Sequence, residues 1–376
     1  MPGRIVLFGA TGYTGELTAR SLAARGRRPV LAGRSAHRLE ALATELGGLE
    51  TAVADVGRPE TVRALVERGD VLISTVGPFV RFGEPAVQAA VATGAHYLDS
   101  TGEGPFIRAV FERHGRGAEA AGVGLVTAFG FDWVPGNLAG ALALRDAGEA
   151  ATRVEIGYFS PGAFAASGGT RASAAGLMFE RGFAWRGGRL IEERTAARVR
   201  GFRLRTSEKP AVSVPSSEHF ALPRIHPGLR DVGVYIGWFG AAARPMQALS
   251  AATSVLARVP GVKAGAEAAL GRLVKGSTGG PDEQARARSS SYVIATAFDA
   301  GGTELAEVRL TGVDGYTFTA EILAWGADRA AAGGLQGAGA LGPVDAFGLD
   351  ELEAGAAEAG LAREQAAAGA AYPGVV

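Results

Sequence analysis

The sequence predicts an α/β protein of two units: an N-terminal doubly wound parallel sheet, then a second α+β domain. Three observations carry this. Short apolar runs alternate with helical patterns from residue 4 to about 130, a glycine-rich turn follows the first run, and beyond about residue 150 longer strand-like stretches take over. At 376 residues the chain is too long for one ordinary core. The expected division is 1–147, 148–330 and a helical C-terminal tail, 331–376, packing back on the core.

In the first unit strands are expected at 4–8, 29–32, 51–54, 71–74, 96–99 and 124–127. Helices are expected at 15–25, 37–46, 59–68, 85–93 and 106–121. The strands carry few polar residues, as required when helices cover both faces of a parallel sheet. A helix at 136–144 closes this unit. Residues 152–159, 197–206, 232–239, 291–298 and 304–311 then read as strands of a second sheet, expected antiparallel. Residues 276–288, rich in glycine and charge, read as an exposed loop.

Composition removes several functions. There are 38 basic and 38 acidic side chains, a balance that argues against nucleic acid as the main partner. Lys209, Lys263 and Lys275 are the only lysines, so the high arginine count reflects a bias in composition and not a site. The absence of cysteine excludes disulfides and thiol nucleophiles. His37, His96, His114, His219 and His226 lack metal-ligand spacing, so no metal is expected. No signal-peptide pattern precedes the first strand, and the uncharged stretches 232–243 and 245–257 are too short to span a bilayer. A cytoplasmic protein is expected, with at most weak contact to a membrane surface.

The first strand runs directly into Gly9-Ala10-Thr11-Gly12-Tyr13-Thr14-Gly15 and a helix. Gly9 permits the tight turn, Gly12 lets backbone approach a diphosphate, and Gly15 lets helix and strand pack closely. The helix N-terminus then offers unpaired N–H groups and partial positive charge to the anion. In this strand–turn–helix context the turn reads as a dinucleotide site on a Rossmann-type sheet. The second strand is followed by Arg34, Ser35 and Arg38, where NAD-specific sites place a carboxylate that holds the ribose hydroxyls. Arg34 can instead pair with a 2′-phosphate, with Ser35 donating a hydrogen bond and Arg38 adding charge, so NADP(H) is the expected cofactor. Asp55 suits either the adenine edge or a helix cap. Thr75-Val76-Gly77-Pro78, after the fourth strand, let backbone pass close to the nicotinamide ribose.

These segments, with Tyr97-Leu-Asp-Ser-Thr-Gly-Glu103, Gly130-Phe-Asp-Trp-Val-Pro135, Gly168-Gly-Thr170 and Gly315-Tyr-Thr-Phe-Thr319, resemble the saccharopine dehydrogenase-like oxidoreductases, including the bacterial trans-acting enoyl reductase branch. The resemblance implies an NADP-binding Rossmann domain joined to an α+β domain that builds the substrate pocket and mediates homodimerisation. It also implies hydride transfer to a C=C or C=N bond of a small-molecule or carrier-linked acyl substrate; the alternative of another class is a sensor or interaction protein that binds NADP(H) without turning it over. No basic set suited to an amino-acid-derived polycarboxylate is evident, so saccharopine itself is not the expected substrate. The short-chain dehydrogenase alternative needs a lysine four residues after a catalytic tyrosine. Position 101 after Tyr97 is threonine and position 320 after Tyr316 is alanine.

Hydride transfer is the cofactor's chemistry, and the protein must orient it and supply a proton. Strand ends at the carboxyl edge of the sheet are the place for this. Glu103, Asp132 and Tyr316 are the candidates for proton transfer, although Thr101 and Asp132 also suit helix capping and Tyr316 a core. Tyr97, Asp99, Thr101, Gly169, Thr170 and Ser173 are the candidates for lining the substrate site. Tyr316 and Thr319 are expected on a strand or turn. Phe159, Phe164, Met178, Phe179, Phe183 and Trp185 would form either an acyl groove or core. Arginines 198, 200, 203 and 205 read as a solvated edge strand.

Overall fold

The computed structural model describes residues 3–160, 182–204, 207–256 and 279–364. The first unit is a seven-stranded parallel sheet. It contains β1 (Ile5–Phe8), β2 (Val30–Gly33), β3 (Thr51–Val53), β4 (Val71–Ser74), β5 (His96–Asp99), β6 (Gly124–Val126) and β15 (Gly339–Ala340), in the order β15-β6-β5-β4-β1-β2-β3. Every residue of β1, β2 and β4 is buried, which explains their unbroken apolar runs. The order reverses between β1 and β4. Such a switch point opens a crevice beyond the strands' carboxyl ends, where open α/β sheets bind ligands.

The second sheet has nine strands: β7 (Arg153–Phe159), β8 (Phe183–Arg186), β9 (Arg189–Glu192), β10 (Val199–Arg203), β11 (Glu208–Ser213), β12 (Asp231–Ile236), β13 (Ser291–Phe298), β14 (Glu304–Gly312) and β16 (Leu361–Arg363). The antiparallel expectation is corrected here: β12 runs parallel to β7, so the sheet is mixed. Two further elements differ. Tyr316 and Thr319 lie on the helix Gly315–Ala331, not on a strand or turn, and residues 283–287 of the supposed loop form a helical turn capped by Asp282.

The chain passes between the two sheets more than once. Helix Val134–Ala147 emerges from β6 yet packs on β7, β13 and β14 of the second sheet. Helix Gly315–Ala331 follows β14 yet packs on helix Tyr13–Ala24 and on β1, β4 and β5 of the first. The tail likewise gives β15 to one sheet and β16 to the other, around helices Pro343–Phe347 and Leu349–Glu358. A single apolar cluster therefore runs from Val6 and Leu72 through Phe129 and Leu142 to Val293 and Leu352. The carboxyl edge of the first sheet is held against the second.

Phe159 and Phe183 are buried in the core, and the Trp185 indole donates to the Leu229 carbonyl, so these three do not form an open groove. Phe164, Met178 and Phe179 lie outside the described residues. Two of these arginines, Arg198 just before β10 and Arg200 within it, are more engaged than a solvated face requires. Arg198 donates to Glu193, and Arg200 pairs with Glu155 at 2.5 Å and lies over the Phe202 and Phe298 rings. Arginine 205 lies outside the described residues.

Candidate active site

At the amino-terminal turn the structure shows a cradle shaped for close backbone approach. Gly9 takes φ +95°, and a Cβ on Gly15 would lie 2.1 Å from the Gly9 carbonyl oxygen, so no side chain fits there. Gly12 precedes helix Tyr13–Ala24 in extended conformation, leaving the first-turn N–H groups facing the crevice. Across the switch point the Thr75 hydroxyl donates to the Gly9 carbonyl at 3.2 Å, joining the β4 end to the turn. Val76 follows, and the Gly77–Pro78 peptide is cis.

Arg34 is exposed at the end of β2 and, among the described residues, has no hydrogen-bond or ion-pair partner. Its guanidinium is available to an anion. Arg38 is committed differently: it donates to the Thr11 carbonyl at 2.6 Å and pairs with Glu16 at 3.5 Å, so it braces the turn from outside. Ser35 caps helix Ala36–Glu45 by accepting from the Arg38 amide. Asp55 closes its own turn by accepting from the Gly57 amide at 2.8 Å. Ala10 is fully buried behind the turn. A glycine cradle that a Cβ would fill, an open helix N-terminus and an unpaired guanidinium one strand away together fit a phosphorylated dinucleotide.

Beyond the strand ends lies a cavity between the two sheets. The first unit contributes Thr14, Ser100, Phe131 and Asp132, and the second Ser160 and Trp238. Helix Gly315–Ala331 contributes Gly315, Tyr316 and Thr319, with Asp314 just ahead of it. The segment before β13 contributes Pro281, Ala285, Arg286 and Ser289. The helix is anchored at this end. Asp314 caps it by accepting from the Tyr316 and Thr317 amides, and the Thr319 hydroxyl accepts from the Phe131 amide at 2.9 Å.

Two carboxyl groups line this cavity, Asp314, which caps its helix, and Asp132. The Oδ1 of Asp132 is buried with no hydrogen-bond partner among the described residues, and burial raises its pKa to about 6. The Gly102 backbone lies close enough that a Cβ there would meet Oδ2 at 2.7 Å. Behind it sits a buried polar cluster that sequence reasoning missed. Tyr158 accepts from the Gly136 amide at 2.6 Å and donates to Glu218 at 2.7 Å, while Asn137 donates to the Trp133 carbonyl and to Ser217. Burial first, and then the charge of Asp132, push the Glu218 carboxyl up to about 8.

The other expected catalytic and lining residues fall elsewhere. Glu103 does not line the cavity. Its two oxygens accept from the Phe79 and Val80 amides, each at 2.9 Å, tying down the segment after Pro78. Asp99 accepts from the Thr101 and Ala128 amides and from the Thr127 hydroxyl, clasping the ends of β5 and β6. Thr101 accepts from the Glu103 amide, and Tyr97 is fully buried. These three are scaffold, and Ser100 between them faces the cavity instead. Tyr316 lies in the cavity, edge-on to Tyr13 with ring centroids 5.1 Å apart. Gly169, Thr170 and Ser173 lie outside the described residues.

Comparison with known proteins points to the same cofactor. Residues 5–125 match the family model of the saccharopine dehydrogenase NADP-binding domain. A trans-acting enoyl reductase of Mycobacterium leprae is 43% identical over 140 residues, covering 36% of this chain and 34% of the relative. One from Mycobacterium ulcerans is 41% identical over the same shares. The match thus spans about a third of the length of these curated relatives. Saccharopine dehydrogenase (L-Glu forming) from Saccharomyces cerevisiae has the same fold along 97% of this chain and 100% of its own, with TM-score 0.62 and 14% identity.

Proposed function

We propose, from the premise that residues 5–125 are an NADP-binding domain of the saccharopine dehydrogenase family, that this chain is an NADPH-dependent reductase of the C=C bond of an enoyl thioester, one carried by a small molecule or a carrier. The observation that carries the reading is the position of Asp132. A half-buried carboxyl, whose buried Oδ1 has no partner among the described residues, shares one cavity with Thr14 of the glycine turn, at the carboxyl ends of β5 and β6. A reduction needs a hydride and a proton delivered to the same substrate. Bound NADPH supplies the hydride.

The chain's own residues do the rest. The turn from Gly9 to Gly15 holds the diphosphate, and Arg34 pairs with the 2′-phosphate. Thr75, fixed on the Gly9 carbonyl, keeps the nicotinamide side of the crevice open. Phe131 and Trp238 exclude water from the cavity. Asp132 holds a proton on its carboxyl and donates it to the substrate carbon left electron-rich by hydride addition, becoming the carboxylate. The same carboxylate next to a substrate nitrogen would serve reduction of a C=N bond, so that reading is kept in the test.

The test is oxidation of NADPH, followed at the reduced-nicotinamide absorbance band, with a panel of enoyl thioesters and cyclic imines. Enoyl turnover with kcat falling as pH rises through about 6 is expected, because the acid is active only while protonated. Asp132→Asn should lower kcat by about 10²–10⁴ and remove that limb. Turnover of the imines alone would replace the C=C assignment. NADPH binding with no turnover on any member of the panel would overturn the reductase reading.

A further inference from the structure

The segment at residues 279–289 belongs to the second unit, yet it lies directly on the glycine turn of the first. The Gly280 backbone is laid against the Tyr13 ring, where a Cβ would come within 2.6 Å of three ring carbons. The Tyr13 hydroxyl donates to the Pro281 carbonyl at 2.5 Å and accepts from Arg286 Nη1 at 3.0 Å. Arg286 Nη1 also reaches the Pro281 carbonyl at 3.1 Å. Tyr13 and Thr14 are the first two residues of the helix whose N-terminus closes the turn, and Thr14 and Arg286 line the same cavity.

Arg286 is short of a counter-charge. No carboxylate among the described residues pairs with it, and its Nε and Nη2 have no partner there. Asp314, which lines the same cavity, accepts the Tyr316 and Thr317 amides on its Oδ1. A guanidinium has five donors in a fixed fork suited to phosphate oxygens. Among the described residues only Nη1 is used, and it holds the fork in place on a phenol that is itself part of the phosphate turn.

We propose that Arg286 is a phosphate-binding residue, delivered by the second unit to the dinucleotide's diphosphate beside the glycine turn. The proposal rests on the NADP(H) reading of that turn and extends the site to a residue 271 positions past it (Gly15 to Arg286). It gives the two arginines separate roles. Arg34 reads the 2′-phosphate, which only NADP(H) has, whereas Arg286 meets the diphosphate that NADP(H) and NAD(H) share.

Calorimetric titration of NADPH and NADH into the full chain and into Arg286→Ala, Arg286→Lys, Tyr13→Phe and Arg34→Ala tests this. Arg286→Ala should weaken both dinucleotides by the same factor, about tenfold or more, and flatten the salt dependence of binding. Arg286→Lys should keep the salt dependence with a smaller loss, which also shows that the site folds without the guanidinium. Tyr13→Phe should cost less than about threefold, and Arg34→Ala should weaken NADPH selectively. Unchanged affinities in Arg286→Ala would overturn the proposal. So would a Tyr13→Phe variant that reproduces the full loss while Arg286→Ala keeps the wild-type salt slope, since the arginine would then act only through the tyrosine. Unchanged affinities with a raised KM for a coenzyme A thioester, but not for a phosphate-free thioester, would move the anion to the substrate. A wild-type chain that bound neither dinucleotide would remove the NADP(H) reading and Arg286's role with it, whereas loss confined to the Arg286 variants leaves that reading standing.

Discussion

Glu218 makes a stability prediction that does not depend on knowing the substrate. Its carboxyl is fully buried against Tyr158 and moves from an ordinary 4.5 to about 8, chiefly through desolvation. Between those values the unfolded chain has lost this proton and the folded chain keeps it. Stability contributed by the neutral carboxyl is therefore complete below pH 4.5 and is lost as pH rises through about 8, at about 1.4 kcal/mol per pH unit. Other buried groups act at lower pH. Asp99 and Asp132 have folded values of about 6, and His219 is driven down to about 3, so its contribution is complete above the ordinary histidine value of 6.5. The interval from pH 6.5 to 8 isolates Glu218, and across it the wild type should lose about 2 kcal/mol. Glu218→Gln keeps an acceptor for the Tyr158 hydroxyl and cannot ionise, so its stability should be flat over the same interval. Guanidinium unfolding at the two pH values, read by tryptophan fluorescence and circular dichroism, measures the difference. Equal losses in the two proteins would refute the assignment of a neutral, buried Glu218.

Other expectations follow from the cofactor side. Arg34→Ala should raise the Kd for NADPH by about 10–100-fold and leave NADH within a few-fold, since a charge-assisted hydrogen bond contributes about 1.5–3 kcal/mol; equal weakening of both by titration would remove the 2′-phosphate assignment. Gly15→Ala places a methyl against the Gly9 carbonyl, 2.1 Å away in the present geometry, and should abolish dinucleotide binding by calorimetry. Affinity within threefold of wild type would show that the turn yields and is not a fitted cradle.

Where sequence and structure agree, the signal is local. All six expected strands of the first sheet appear within two residues of their expected ends, because each is an apolar run closed by a turn signal. The glycine turn was legible for the same reason, since strand, turn and helix are contiguous. In the second unit the short β8–β9 hairpin was missed even though Gly187 and Gly188, both at positive φ, separate its two arms. Helix Gly315–Ala331 was misread because its first turn is rich in β-prone residues. Asp314 as cap, with Phe318, Ile322 and Trp325 recurring on one buried face, was the better signal.

The site residues divide along a different line. Asp99, Thr101 and Glu103 sit at a strand end, where function is expected, but each carboxylate or hydroxyl is consumed by backbone amides of the loops that it holds in place. Position along the chain located the cleft, yet it could not distinguish the clasp from the residues facing the cavity. Asp132 differs in having a buried oxygen that no described residue satisfies, and a buried polar atom left unpaired is costly unless a ligand or a reaction uses it. Glu218 and Arg286 were illegible for a stronger reason. Glu218 stands in a polar run, Ser216-Ser217-Glu218-His219, that matches no strand or helix signal, and residues 276–288 read as an exposed loop. Only the crossing of helices Val134–Ala147 and Gly315–Ala331 between the sheets brings the one beneath Asp132 and the other over Tyr13. That crossing makes the two sheets a single site: the turn that shapes the phosphate cradle is braced by a segment more than 260 residues away in sequence. A substitution that loosened the second sheet near β13 would therefore be felt first as weaker dinucleotide binding.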